Sequence, residues 1–195
     1  MNNVNKSYYT KNSEEFIEGT IHVDMSKQYE LFEKYLKPNS KILDIGFGSG
    51  RDSLYFQSIG HDVTSIDPTL IFCEKAIELG LHNVLNIAAE DMVFQNEFDG
   101  IWACASLLHV KRNDLVNVLK KCFDALVNDG TMYASFKLGD FEGVRDGRFY
   151  VDMNIDNLKQ LTSAANLEII EYAISEDVRK DHSEKWLNII IKKHR

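Results

Sequence analysis

Lys41-Ile42-Leu43-Asp44-Ile45-Gly46-Phe47-Gly48-Ser49-Gly50-Arg51-Asp52 is the stretch that decides the fold of this chain. Its first five residues form a short, mostly apolar run that stops at glycine, the pattern of a strand buried in a parallel sheet. Three glycines at alternate positions then allow a tight turn and let a ligand approach the backbone. A helix starting there presents free N–H groups to that ligand. The segment 51–60 has helical character and stops at Gly60.

Downstream the alternation repeats. The sequence predicts a strand at 62–67, a helix at 69–79 closing at Gly80, strands at 83–88 and 98–105, a helix at 113–126, and a strand at 131–137 after the turn Asn128-Asp129-Gly130. Such alternation predicts an α/β sandwich around a mostly parallel sheet. A helix at 155–165 precedes two further strands, 167–175 and 185–193. Only about nine residues separate these two, whereas a parallel crossover needs a dozen or more, so they should pair antiparallel. Upstream, 26–36 reads as a helix that starts at Ser26 and ends before Pro38. The expectation is one domain over 1–195, with a helical cap at 1–37 and the core at 38–195.

Composition narrows the function. The chain has 195 residues, 44% apolar and 27% charged, ordinary for a globular protein with a proper core. No apolar run approaches the roughly 18–20 residues of a membrane span. The first sixteen residues lack the apolar segment of a signal peptide, so the cytoplasm is the expected location. Cys73, Cys104 and Cys122 are an odd number of thiols in apolar stretches, which predicts reduced cysteines. No CxxC or HxxxH spacing occurs, and no metal is expected. A net charge of −8 argues against extended contact with nucleic acid.

A glycine loop alone is weak evidence, but three acidic positions accompany it. Asp44 precedes the first glycine, where a carboxylate meets the ammonium of an amino-acid ligand, directly or through water. Asp67 closes the second strand, where an acid accepts both ribose hydroxyls. Ala89-Glu90-Asp91-Met92 follows the third strand, with Asp91 placed to accept from an exocyclic amine and Met92 to cover an adenine. The structural alternatives are a turn carboxylate before Pro68 for Asp67 and a helix N-cap for Asp91.

ILDIGFGSGRD, SID, AAEDM and FDGIWACASLLHV, in that order, resemble the class I S-adenosylmethionine (SAM) dependent methyltransferases over nearly the whole chain. The resemblance implies a Rossmann-like fold: a seven-stranded sheet closed by an antiparallel hairpin, with helices on both faces. It implies SAM held by Asp44, Gly46, Gly48, Gly50, Arg51, Asp52, Asp67, Pro68, Glu90, Asp91 and Met92, with Ala105, Ser106 and Leu108 facing the methionine moiety. It is also similar to small bacterial methyltransferases with an N-terminal YY…DMS stretch, which implies a lid formed by Tyr8, Tyr9, Asp24 and Met25. Tyr9 then touches the cofactor and Tyr8 the substrate. A nicotinamide-dependent dehydrogenase would need glycine where Arg51 stands, and its sheet would continue in parallel.

The acceptor is harder to read. Ala105–His109 departs from the Asn/Asp-Pro-Pro-Tyr/Phe signature of enzymes that methylate exocyclic amines of bases or protein glutamine. His109 is the candidate general base, the alternative being a histidine bonded to backbone at a helix start. Segment 135–150 reads as a long polar loop over the strand ends. It carries Lys137, Glu142 and Arg148, with Arg179 near the final hairpin, as candidates for a small polar or anionic substrate. The alternative there is a solvated loop with surface ion pairs, and Trp186 reads as a core residue. Two further functions stay open: a non-catalytic SAM sensor, recognised by a plugged acceptor site, and a protein or RNA methyltransferase, recognised by a basic groove.

Overall fold

The computed structural model describes residues 3–179 and 183–193. Its core is a sheet of β1 (Lys41–Ile45), β2 (Asp62–Ile66), β3 (Asn83–Leu85), β4 (Phe98–Ala103), β5 (Leu126–Lys137), β8 (Leu167–Glu176) and β9 (Lys185–Lys193), in the order β3-β2-β1-β4-β5-β9-β8. Pairs among β1–β5 are parallel, while β9 runs antiparallel to both β5 and β8. The short connection between the last two strands forces that reversal, as expected. Among the described residues, no helix is long and apolar enough to cross a membrane.

The period of two along each strand feeds two layers. Leu43, Ile45, Ile101, Ala103, Met132, Ala134, Leu187 and Ile189 face one side, packed against Leu115, Val118, Leu119 and Cys122 of α6 (Arg112–Ala125) and Leu158 of α7 (Ile155–Ala164). Ile42, Trp102, Tyr133 and Ile190 face the other, against Tyr29 and Phe32 of α3 (Ser26–Glu33) and Phe56 of α4 (Arg51–Ser58). Phe32 and Leu36 lie so close over β4 that a Cβ on Gly100 would come within 2.8 Å of each. The helix α3 thus sits against the sheet where a side chain is missing. Helix α5 (Leu70–Glu78) joins β2 to β3.

Several boundaries shift. The third strand ends at Leu85 because it has only one neighbour, β2, to hold it. The turn at Asn128-Asp129-Gly130 becomes a bulge inside β5, with Asp129 at φ +67° and Phe98 paired back to Leu126. The segment after β5 is not an open loop. Glu142–Arg145 (β6) and Arg148–Val151 (β7) form an antiparallel hairpin. Its two-residue turn, Asp146-Gly147, has φ of +50° and +75°, the primed turn that asparagine or aspartate followed by glycine favours. The N-terminal arm forms two helices, α1 (Asn3–Lys11) and α2 (Ser13–Thr20).

Candidate active site

The carboxyl ends of β1, β4 and β5 open onto a cavity of about 310 Å³, and a smaller chamber of about 80 Å³ lies against the ends of β1 and β2. Tyr9, Phe16, Gly46, Gly48, Ala105 and His109 line both, so the chambers meet at the glycine loop beneath α1 and α2.

The loop geometry follows from its glycines. Gly46, Gly48 and Gly50 have φ of +69°, +55° and +81°, a region that L side chains rarely occupy. A Cβ on Gly46 would also lie 2.6 Å from Ser106 Cβ, so the bare backbone is what lets β1 and β4 end side by side. Ala105, just past β4, is also left-handed at φ +50°, a conformation costing about 1–2 kcal/mol without glycine. The Ser135 hydroxyl accepts from its N–H at 2.8 Å and helps hold it there.

Asp67 faces the smaller chamber. One carboxylate oxygen accepts from Gly48 N–H at 3.2 Å and the other from Thr69 N–H at 2.8 Å. Burial pushes this carboxyl up to about 6, against the opposing pull of those two N–H groups. Pro68, Glu90 and Ser106 line the same chamber, and the buried Ser106 hydroxyl has no protein partner among the described residues. A carboxylate with unused lone pairs, an unpartnered hydroxyl and a side-chain-free loop fit a ribose-bearing ligand.

Asp44 and Asp52 divide differently from the sequence expectation. Asp44 lines neither chamber: it shares a face of β1 with Ile42, towards α4, where it accepts from Ser53 Oγ at 2.6 Å. Burial, with Asp52 nearby, holds its carboxyl well above the usual range. Asp52 does line the larger cavity. It accepts from Tyr29 Oη (2.6 Å), Trp102 Nε1 (2.8 Å), and Arg51 Nε and Nη2 (2.6 and 2.9 Å). Arg51 also donates to Thr20 O at 3.3 Å, tying the loop to the end of α2.

His109 is buried between the cap and the hairpin. Its Nδ1 lies 2.7 Å from Phe149 O, which can only accept, so Nδ1 carries the proton. Nε2 then accepts from Tyr9 Oη at 2.8 Å. Burial lowers this imidazole to about 4, keeping it neutral at physiological pH. Both ring nitrogens are engaged, which does not suit the free general base expected from sequence.

At the far end of the larger cavity stand Lys137, Tyr150, Arg148, Arg179 and Trp186, with Leu108 nearer the loop. Lys137 Nζ lies 2.5 Å from Glu184, and Arg179 lies 2.8 Å from Asp177. Among the described residues Arg148 has no carboxylate partner. Its guanidinium instead lies 4.8 Å over the Tyr8 ring and 5.2 Å from the Tyr150 ring, with Nε buried and unpartnered. Trp186 is part of the cavity wall, its Nε1 donating to Asp177 at 3.0 Å, rather than core alone.

Some expected residues are elsewhere. Glu142 lines neither chamber, because β6 turns it outward to an exposed pair with Arg112 at 3.4 Å. Asp91 is exposed, and Met92 is buried in the main core with Phe98 and Leu119, so neither reaches the chambers. The turn after Asp91 directs Met92 under the sheet edge, where its carbonyl accepts from Lys121 at 2.7 Å. Tyr8 supports Arg148 from outside the lining, and Asp24 caps Ser26 N at 2.9 Å on the surface, while Met25 lines the cavity. Phe16, Tyr133, Tyr150 and Asn188 line the cavity without having been singled out. Only Tyr150 had a sequence signal, through the Asp146-Gly147 hairpin turn.

Solved structures share this architecture. The Burkholderia thailandensis 1,6-didemethyltoxoflavin-N1-methyltransferase, with bound 1,6-didemethyltoxoflavin and S-adenosylhomocysteine, superposes with a TM-score of 0.81 at 20% identity, covering 97% of this chain and 87% of its own. A SAM-dependent methyltransferase from Methanosarcina mazei gives 0.74 at 22% identity, covering 83% and 96%. The [4+2]-cyclase SpnF gives 0.76 at 13% identity, covering 97% and 94%, so the fold carries more than one chemistry. No curated protein sequence matches. The methyltransferase domain family model matches residues 42–130, the segment from β1 through the glycine loop and Asp67 to the start of the bulged β5. With that match on the loop and its acid, and with β9 reversed in the sheet, the chain has the class I SAM-dependent methyltransferase fold and carries the family's segment from β1 to the start of β5.

Proposed function

We propose that this enzyme methylates a small molecule carrying one negative charge, held at Arg148. The observation behind this reading is the distribution of charge. Arg51, Lys137 and Arg179 each pair with a carboxylate, whereas Arg148 faces the cavity without one among the described residues. Its neighbours are the neutral Tyr8, Tyr9 and Tyr150, so an anion there gains a charge-assisted bond without competing with a carboxylate. The aromatic walls of Tyr150 and Trp186 favour a flat acceptor over an extended chain. The small-molecule substrate of the Burkholderia neighbour agrees with a cavity of this size.

In this reading Asp67 accepts the ribose hydroxyls, Gly46, Gly48 and Gly50 cradle the cofactor, and Glu90, Pro68 and Ser106 flank its nucleoside end. Arg51, Asp52, Ala105 and Leu108 bound the methionine end. Bound SAM supplies a methyl group already activated by its sulfonium. The chain's own task is alignment and the exclusion of water, which Tyr9, Phe16 and Met25 serve by roofing the cavity. Of the segment 1–37 read as the cap, the described residues 3–37 serve that role, and the cytoplasm is the proposed location.

A metabolite extract incubated with methyl-labelled SAM tests the reading. We expect one labelled product, bearing a carboxylate or comparable oxyanion, whose formation depends on Arg148. A neutral or cationic acceptor methylated equally well by Arg148→Ala would overturn it. A cavity of this size open at the strand ends also argues against the sensor alternative, which requires a plugged acceptor site.

A further inference from the structure

Asn5 sits on the first helix yet is completely buried, and neither chamber includes it in its lining. Its side-chain amide pairs with the backbone of one residue in both directions. Nδ2 donates to Phe149 O at 3.0 Å, and Phe149 N–H donates to Oδ1 at 2.6 Å. The amide thereby stands in for a neighbouring strand along β7, which among the described residues otherwise pairs only with β6. The same carbonyl accepts from His109 Nδ1 at 2.7 Å, and His109 Nε2 accepts from Tyr9 Oη at 2.8 Å. Tyr8, one residue away, stacks on Arg148 at 4.8 Å, and a Cβ on Gly147 would lie 3.2 Å from the Tyr8 ring. One helix therefore holds the β6–β7 hairpin at its backbone, at its turn and at its cation, and meets the β4 side of the site through His109.

We infer that Asn5 and His109 are positioning residues that weld the N-terminal cap to the β6–β7 hairpin, so that closing over the cofactor and assembling the Arg148 acceptor subsite are one event. Three observations converge on this. Tyr9 borders both chambers, so moving α1 uncovers the junction where the methyl group is delivered. Arg148 gets one of its two ring supports from Tyr8 on α1, so moving α1 also loosens the acceptor cation. A buried asparagine amide is costly unless both its ends are bonded, so the docked and undocked states are distinct rather than graded. His109 acts here as a neutral bridge whose two nitrogens join the cap to the hairpin. The inference rests on the cofactor site proposed above, and it is tested so that the two can fail separately.

The probe is S-adenosylhomocysteine, followed by its dissociation rate from the intact protein. Asn5→Ala, Asn5→Asp and Tyr9→Phe should each release it about tenfold faster, since each loses one or two hydrogen bonds of the clasp. Because Asn5 lies outside both chambers, its effect has to pass through the cap. The double variant Asn5→Ala/Tyr9→Phe should release no faster than about the worse single one, as both break the same closure. Asp67→Ala is the control for the site itself. If it abolishes binding while the clasp variants release the probe at the wild-type rate, the clasp is wrong and the cofactor site stands. If Asp67→Ala binds normally, the cofactor site is wrong. An Asn5→Ala protein that does not fold would also overturn the inference, because a cap that opens on a folded core is dispensable to that core. Asn5→Asp, which keeps the volume and one acceptor, then decides between a lost contact and a void, and wild-type release from it would overturn the inference as well.

Discussion

Around Gly46, Gly48 and Asp67 the smaller chamber is walled by loop backbone and by apolar and aromatic side chains such as Phe16, Ile66 and Phe72, whereas the far end of the larger cavity is walled by Lys137, Arg148, Tyr150, Arg179 and Trp186. The first region is set by strand ends that the sheet itself aligns, and its polar groups are few and buried. The second is set by long side chains from β5 and two hairpins, and two of its three cations, Lys137 and Arg179, are already paired with carboxylates. The difference teaches where each kind of recognition comes from. A cofactor handled through its ribose can be held by features the fold produces automatically. An acceptor is chosen by side chains that must be arranged one by one.

The sharpest way to break that comparison is at Asp67. Asp67→Ala should weaken SAM binding by about 1–3 kcal/mol, the range for hydrogen bonds to a charged group, with little change in acceptor affinity. Titration calorimetry with SAM checks it, and unchanged affinity in a folded variant would remove Asp67 from the cofactor site. Arg148→Ala is the mirror experiment. It should lower turnover of the true acceptor by about tenfold to a hundredfold, as one charge-assisted contact is lost, while SAM affinity stays within about twofold. Steady-state kinetics beside calorimetry separates the two effects.

A pH titration sharpens the same contrast. Burial raises the Asp67 carboxyl to about 6 in the free protein, and ribose hydroxyls donate only to advantage when it is ionised. SAM affinity should therefore be full above pH 7, fall as the pH drops through about 6, and be about tenfold weaker at pH 5. Stability of the free protein runs the opposite way for this group: its contribution is present below about 4 and lost as the pH rises through about 6. His109, lowered to about 4 by burial, adds no protonation step near neutral pH, so a break near 6.5 in turnover at saturating SAM that persists in Asp67→Asn would contradict its role as a neutral bridge.

The smallest effect is expected at Glu142. Its pair with Arg112 is exposed, and such pairs contribute about 0–1 kcal/mol. Glu142→Ala should leave turnover unchanged and shift thermal stability only marginally, which a melting curve and one rate measurement can show. A large loss of turnover would return Glu142 to the acceptor site from which its position on β6 removes it.

What could be read in advance has a local cause. Strand alternation, glycine positions and the short link between the last two strands are properties of neighbouring residues, and they determined the α/β sheet, the loop at 46–50 and the reversal of β9. The position of Asp67 was legible for the same reason, standing at a strand end with its backbone contacts fixed by the turn. The hairpin at 142–151 was legible too, through Asp146-Gly147, but the many charges around it read as a loop.

The rest depended on contacts between distant segments. Asp44 and Asp52 are eight positions apart and both acidic, yet only the packing of Ser53, Trp102 and Tyr29 buries one under α4 and sends the other to the cavity. Met92 was drawn into the core by β4 and α6, and Lys137 and Arg179 acquired carboxylate partners that spacing does not announce. Asn5 and Phe149 are separated by 144 positions, and nothing local marks that asparagine for burial. Local sequence determined which elements form and where the glycine loop and Asp67 lie. The tertiary structure alone decided which charges stay free to meet an acceptor, because neutralisation and burial are properties of side chains brought together across the whole chain.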